Sequence, residues 1–134
     1  MGQAGAMLDA YPADLLVTDA AGLAECVEAC IDCAQVCTAC ADACLAEPMV
    51  AELTRCIRTD LDCADLCEAT GRVLTRQTGN EPDVTRAVLR ACAAACRSCA
   101  DECAGHTGMR HCVLCAETCR RCADACERLL AALG

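Results

Sequence analysis

Along most of this chain, apolar positions recur at alternating spacings of three and four residues. That rhythm keeps side chains on one face of an α-helix. Four such segments are separated by residues that favour helix boundaries. The first runs from Thr18 or Asp19, either of which can cap an N-terminus, to Ala46. The second opens at Pro48 and continues to Gln77, with Gly79 and Asn80 stopping it. Pro82 opens the third, which ends at Ala104 with Gly105 in the C′ position. Thr107 or Gly108 starts the fourth, which reaches Leu133. The connections are short, so successive helices are expected to be antiparallel neighbours. The pattern predicts an all-α fold, an antiparallel up-down-up-down four-helix bundle over residues 18–134. Residues 1–17 are expected to form a short N-terminal extension, with a brief helix around Ala4–Ala10 followed by Tyr11-Pro12.

In an ordinary bundle Leu, Ile and Val occupy the inward stripe. Here all eighteen cysteines occupy it. The first segment carries Cys26, Cys30, Cys33, Cys37, Cys40 and Cys44, and the second carries Cys56, Cys63 and Cys67. The third carries Cys92, Cys96, Cys99 and Cys103, and the fourth Cys112, Cys115, Cys119, Cys122 and Cys126. Tyr11 is the single aromatic residue among 134, so Cys and Ala must fill the core. Free Cys packs as a small hydrophobe, and the bundle is expected to fold before any metal arrives.

The formal charge is −9 at pH 7, with twenty acidic residues against eleven arginines. That excess argues against nucleic acid and against an anionic membrane surface as partners. The N-terminus has neither a basic n-region nor a long apolar h-region, and no stretch has the length and apolarity of a membrane span. The expected compartment is therefore the cytoplasm, where thiols stay reduced. Thiols ready for metal are then a better reading than a disulfide scaffold.

Cysteines three or four residues apart on a helix are neighbours, with Cβ atoms about 5–6 Å apart. Soft thiolates in quantity select Cu(I), zinc or iron–sulfur clusters. Zinc favours separate tetrahedral sites, and iron–sulfur clusters favour sets of four cysteines at set spacings. Cu(I) accepts two or three thiolates and tolerates bridging, and each ion replaces one thiol proton. A continuous row of pairs therefore fits many Cu(I) ions per chain. A zinc or cadmium thiolate buffer is the second reading. A thiol redox or iron–sulfur protein is the third, since five Cys-x-x-Cys motifs are present. Most of these lie mid-helix with no βαβ pattern around them, which weakens the redox reading. No enzymatic activity is expected.

The two ends of the stripes differ. Stepping back along the second passes Cys63, Asp60, Cys56, Leu53 and Met49. Stepping past Cys103 reaches His106, stepping back from Cys112 reaches Met109, and His111 lies one position off its stripe. The opposite end is leucine: Leu23, Leu74, Leu89, Leu129 or Leu130, and Leu133. One end is expected to be plugged and the other open. Asp60 stands where a cysteine would continue the pattern. A buried carboxylate needs a cation, a donor or water, so a wet mouth that guides cations is expected. His106 sits near a helix C-terminus, and Met49 and Met109 offer thioethers to passing Cu(I).

The stretches CVEACIDCAQVCTACADAC and CVLCAETCRRCADAC carry a resemblance to the bacterial copper storage proteins, in their cytosolic branch. The likeness extends over nearly the whole chain after the extension. It implies storage of many Cu(I) ions inside each bundle, uptake at the end bearing non-cysteine ligands, and a homotetramer. It also implies that Asp60, His106 and His111 are residues of the mouth. The expected partners are copper ions, with copper chaperones or low-molecular-weight thiols exchanging them.

Overall fold

The structure, a computed structural model, describes residues 2–134. It contains α1 (Gln3–Asp9), α2 (Ala20–Leu45), α3 (Thr54–Thr75), α4 (Pro82–Ala104) and α5 (Arg110–Leu133). The last four form the expected bundle: α2 packs on α3 and α5, and α4 packs on the same two helices. A ring of four antiparallel rods results, with one shared axis. Asp19 caps α2, its Oδ1 accepting the Gly22 N–H at 2.9 Å. Pro82 stands in the first turn of α4, where its missing N–H costs nothing. Gly79 takes φ +66° in the α3–α4 turn, a left-handed conformation that favours glycine.

Three boundaries depart from expectation. Pro48 opens no helix: Val50 N–H donates to Glu47 O at 3.2 Å, so Pro48 takes the second position of a tight turn. A single 3-10 turn, Val50–Glu52, follows, and α3 begins only at Thr54. Consequently Met49 lies in the connection and not on the α3 stripe. Gly105 is the C-cap of α4 at φ −73°, so no left-handed freedom is used there. Helix α5 starts at Arg110, with Thr107 and Gly108 in the turn before it.

The core is sulfur and small side chains. Every cysteine is at most 2 % exposed. Around them Ala24, Ala29, Ala41, Ala64, Ala93, Ala100, Ala116, Ala123 and Ala125 are buried between helices. The four rods can thus pack closely without bulky side chains. Leu23, Leu74 and Leu89 are fully buried at one end, with Leu129 beside them.

The N-terminal extension packs onto this frame. Leu8 of α1 is buried, and α1 lies against α2. Leu15 and Val17 pack on the core. Two polar contacts hold the segment: Tyr11 Oη to Thr78 Oγ1 at 2.6 Å, and Leu16 N–H to Gln77 Oε1 at 2.7 Å. The Gln77 amide also donates to Leu74 O at 2.8 Å, so one side chain both finishes α3 and anchors the extension. Arginines bridge three of the four helix seams. Arg128 and Arg121 of α5 reach Glu25 and Asp32 of α2, at 2.6 and 2.9 Å. Arg97 of α4 reaches Asp124 and Glu127 of α5, and Arg55 of α3 reaches Glu102 of α4. Among the described residues, no ion pair crosses the α2–α3 seam.

Candidate metal centre

The 3.6-residue repeat turns each cysteine stripe toward the axis, and antiparallel packing brings sulfurs from different helices together. All eighteen are free thiols. Near the leucine end, Cys26 Sγ lies 3.9 Å from Cys126 Sγ, and Cys30 Sγ 3.8 Å from Cys122 Sγ. Mid-bundle contacts tighten. Cys67 and Cys63 each lie 3.6 Å from Cys96, Cys33 lies 3.7 Å from Cys119, and Cys37 lies 3.5 Å from Cys119. Toward the other end, Cys56 lies 3.7 Å from Cys103, and Cys40 and Cys112 are 3.9 Å apart.

Several sets of four sulfurs have all their members within 4.8 Å of one another. One is Cys30, Cys92, Cys122 and Cys126. Others are Cys33, Cys37, Cys63 and Cys119; Cys33, Cys63, Cys67 and Cys96; and Cys37, Cys99, Cys115 and Cys119. The last three share members: Cys33 and Cys63 belong to two sets, as do Cys37 and Cys119. Closed tetrahedral sites cannot all be filled when they compete for the same ligands. Bridging thiolates with two- or three-fold coordinated ions can.

Asp60 is fully buried, not in a wet mouth. Its Oδ1 accepts S–H donors from Cys99 at 3.0 Å, Cys115 at 3.2 Å and Cys103 at 3.5 Å. Its Oδ2 has no partner among the described residues. Burial is the leading cause that pushes its carboxyl up to about 9. The side chain therefore stays neutral at neutral pH, which removes the cost of an isolated buried charge. The sequence pattern shows the need for donors but not how deep the residue lies: α3 begins at Thr54, and Leu53 and Cys56 ahead of Asp60 are each only 1 % exposed. An orphaned carboxyl oxygen among thiols is a fitting ligand for a cation that displaces its proton.

Beyond this layer Cys40, Cys44 and Cys112 form a further set with His111. His111 Nδ1 lies 3.4 Å from Cys40 Sγ and 3.6 Å from Cys112 Sγ. Burial is the leading cause that raises the Cys44, Cys56 and Cys112 thiols above their ordinary range. These thiols hold their protons until a metal displaces them, so loading releases protons. The helical stripe had pointed to His106 more strongly than to His111. The structure turns His111 onto the set of Cys40, Cys44 and Cys112, while His106 Nε2 pairs with Glu102 at 3.6 Å. His106 lies past the end of α4, in the turn that follows its C-cap Gly105. Met109 is partly buried against the core, whereas Met49 is exposed. Glu47 was missed. Three residues past Cys44, it continues the first stripe, and its Oε2 lies 3.6 Å from His111 Nε2.

The family model for copper storage proteins matches residues 19–131. The chain belongs to the copper storage protein family. Solved structures agree with that placement. The copper storage protein Ccsp from Streptomyces lividans loaded with 10 copper equivalents is similar at 59 % identity and a TM-score of 0.94, over 98 % of this chain and 100 % of that one. A cytosolic copper storage protein from Streptomyces lividans with five coppers is similar at 63 % identity and a TM-score of 0.82, over 84 % of this chain and 95 % of that one. A Ccsp mutant from the same organism, with one histidine replaced by alanine, is similar at 62 % identity and a TM-score of 0.85, over 87 % and 98 % of the two chains. Comparison with curated protein sequences gives no match. No helix among the described residues is long and apolar enough to cross a membrane.

Proposed function

We propose that this chain stores many Cu(I) ions in the cytoplasm, held by the thiolates that line its bundle. One observation carries the reading: the mid-bundle four-sulfur sets share members, and sulfur contacts from Cys67 to Cys92 and Cys122 and from Cys56 to Cys44 and Cys103 join them to the sets at either end, so the tube is a continuous ladder of ligands and not a row of closed sites. Sulfurs 3.5–4.0 Å apart allow an ion to keep one thiolate while reaching for the next. Copper can therefore move inward by ligand exchange. Each Cu(I) replaces one proton, so the buried tube fills without accumulating net charge. All eighteen cysteines serve as ligands, with Asp60 adding its free oxygen and His111 receiving ions at the mouth. His106, Met49 and Met109 are transient ligands around the opening. Storage of this kind needs no catalytic turnover, and the chain is not an enzyme.

Residues 18–134 form the storage domain, and residues 1–17 close its leucine end. The working assembly is a homotetramer. The α2–α3 seam supports self-association: among the described residues no ion pair bridges it, and Ile31 is exposed in the groove between the two helices. Copper chaperones or low-molecular-weight thiols supply the ions. The test is titration of the reduced protein with Cu(I) against a competing chelator, with parallel arms for Zn(II) and Cd(II). The proposal expects Cu(I) uptake to continue until the thiol pool is consumed. Saturation after one discrete site, or preferential retention of zinc, overturns it.

A further inference from the structure

Resting on the reading of the tube as a copper store, we propose that Glu47 is a positioning residue. It fixes the His111 ring so that its lone pair faces the outermost thiols. A neutral imidazole carries one N–H donor and one acceptor nitrogen, and the partner of one decides the state of the other. Here Nδ1 faces Cys40 and Cys112, at 3.4 and 3.6 Å. The opposite nitrogen, Nε2, is shielded from solvent and has no hydrogen-bond partner at standard distance among the described residues. The Glu47 carboxylate stands just outside that distance, at 3.6 Å. It is the acceptor that a proton on Nε2 requires. With the proton there, Nδ1 presents its lone pair to an ion arriving between Cys40 and Cys112.

The backbone around Glu47 is prepared for this task. Its N–H donates to Cys44 O at 3.2 Å, and its carbonyl accepts from Val50 N–H at 3.2 Å. Pro48 follows, with a fixed φ. A carboxylate is thus held at the rim by a short, tied turn and not by a flexible loop. Both side chains keep the same modest exposure, 27 % each, so the pair lies at the boundary between solvent and thiols. By contrast, His106 pairs with Glu102 at 3.6 Å, and Glu102 is also engaged by Arg55 at 3.2 Å. Carboxylates that orient a metal-binding histidine typically contribute 10–100-fold to metal affinity or activity.

The experiment compares wild type, Glu47→Ala and Glu47→Gln as reduced, full-length protein. Two-bond ¹H–¹⁵N correlation spectra read the His111 tautomer without metal, stopped-flow absorbance reads Cu(I) uptake from a soluble thiol complex, and chelator competition reads total capacity. The expected result is an Nε2–H ring in wild type, loss of that bias in Glu47→Ala, and uptake slowed by about 10–100-fold. Glu47→Gln retains an amide oxygen acceptor and recovers the tautomer and most of the rate, and capacity is equal in all three. An Nδ1–H ring in wild type, or a Glu47→Ala protein with unchanged tautomer and rate, overturns the proposal. A wild-type capacity of one or two ions with the tautomer as described overturns the storage reading and leaves the role of Glu47 in place.

Discussion

The two ends of the bundle are made by the same four helices and have opposite chemistry. At one end Leu23, Leu74 and Leu89 are fully buried, and Leu15 and Val17 of the N-terminal extension pack over the core. Contacts from Tyr11 and Leu16 to Thr78 and Gln77 tie that cover down. At the other end His111 and Glu47 sit at the rim, above Cys40, Cys44 and Cys112. Leucine offers no ligand and excludes water, whereas the rim offers nitrogen, oxygen and sulfur in one place. The difference teaches a division of labour: the apolar end holds the fold together, and the polar end handles cargo. A core of thiols and alanines buries little apolar area per residue, so stability must come disproportionately from the few leucines.

The largest effect should follow from weakening the apolar end. Leu74→Ala removes a fully buried side chain and is expected to cost about 2–5 kcal/mol in urea unfolding of the reduced, metal-free protein. Copper capacity should be unchanged. Met49→Ala, at an exposed position of the rim, should cost less than about 0.5 kcal/mol. Equal losses from the two substitutions would erase the distinction between the ends.

The next effect concerns the layer between them. Asp60 has a folded-state value of about 9, above its ordinary 3.8. The folded protein therefore keeps this proton longer than the unfolded chain. The associated stability is fully present below pH 4 and is lost as pH rises toward 9. From pH 5 to pH 8 that loss amounts to at most about 4 kcal/mol for metal-free wild type. Asp60→Asn cannot ionise and should flatten the slope. Chemical denaturation at both pH values, without oxygen, reads this directly, and parallel slopes in the two proteins would contradict it.

A smaller effect belongs to the start of α2. Asp19→Ala removes the cap on Gly22 N–H and should cost about 1 kcal/mol, measured as a lowered Tm. Copper uptake at the far end should not change. A slower uptake would mean that the ends are coupled along the helix.

Much of this was legible in the sequence, because the cysteines themselves carry the helical period. Their spacing alone placed all eighteen on inward faces, and the leucines just beyond them marked the plugged end. Pro48 misled because proline suits both a first helical turn and the second position of a tight turn. Only the Val50–Glu47 hydrogen bond distinguishes them, and it displaced Met49 from the stripe. The contact of His111 with Cys40 and Cys112 was hidden for a related reason: stripe position within one helix does not show which thiols of a neighbouring helix a side chain meets. The depth of Asp60 depends on where α3 enters the ring, which spacing within one helix cannot show. Glu47 was within reach, since it extends the first stripe by three residues beyond Cys44, but only tertiary packing sets it beside His111.

The most direct measurement is anomalous diffraction at the copper edge from crystals of the Cu(I)-loaded protein. A file of copper peaks should run along the bundle axis, from the Cys40, Cys112 and His111 layer to the Cys26 and Cys126 pair, each peak flanked by shared sulfurs. Copper confined to one isolated site, ions bound on the outer helix faces, or sulfurs joined as cystines would contradict it.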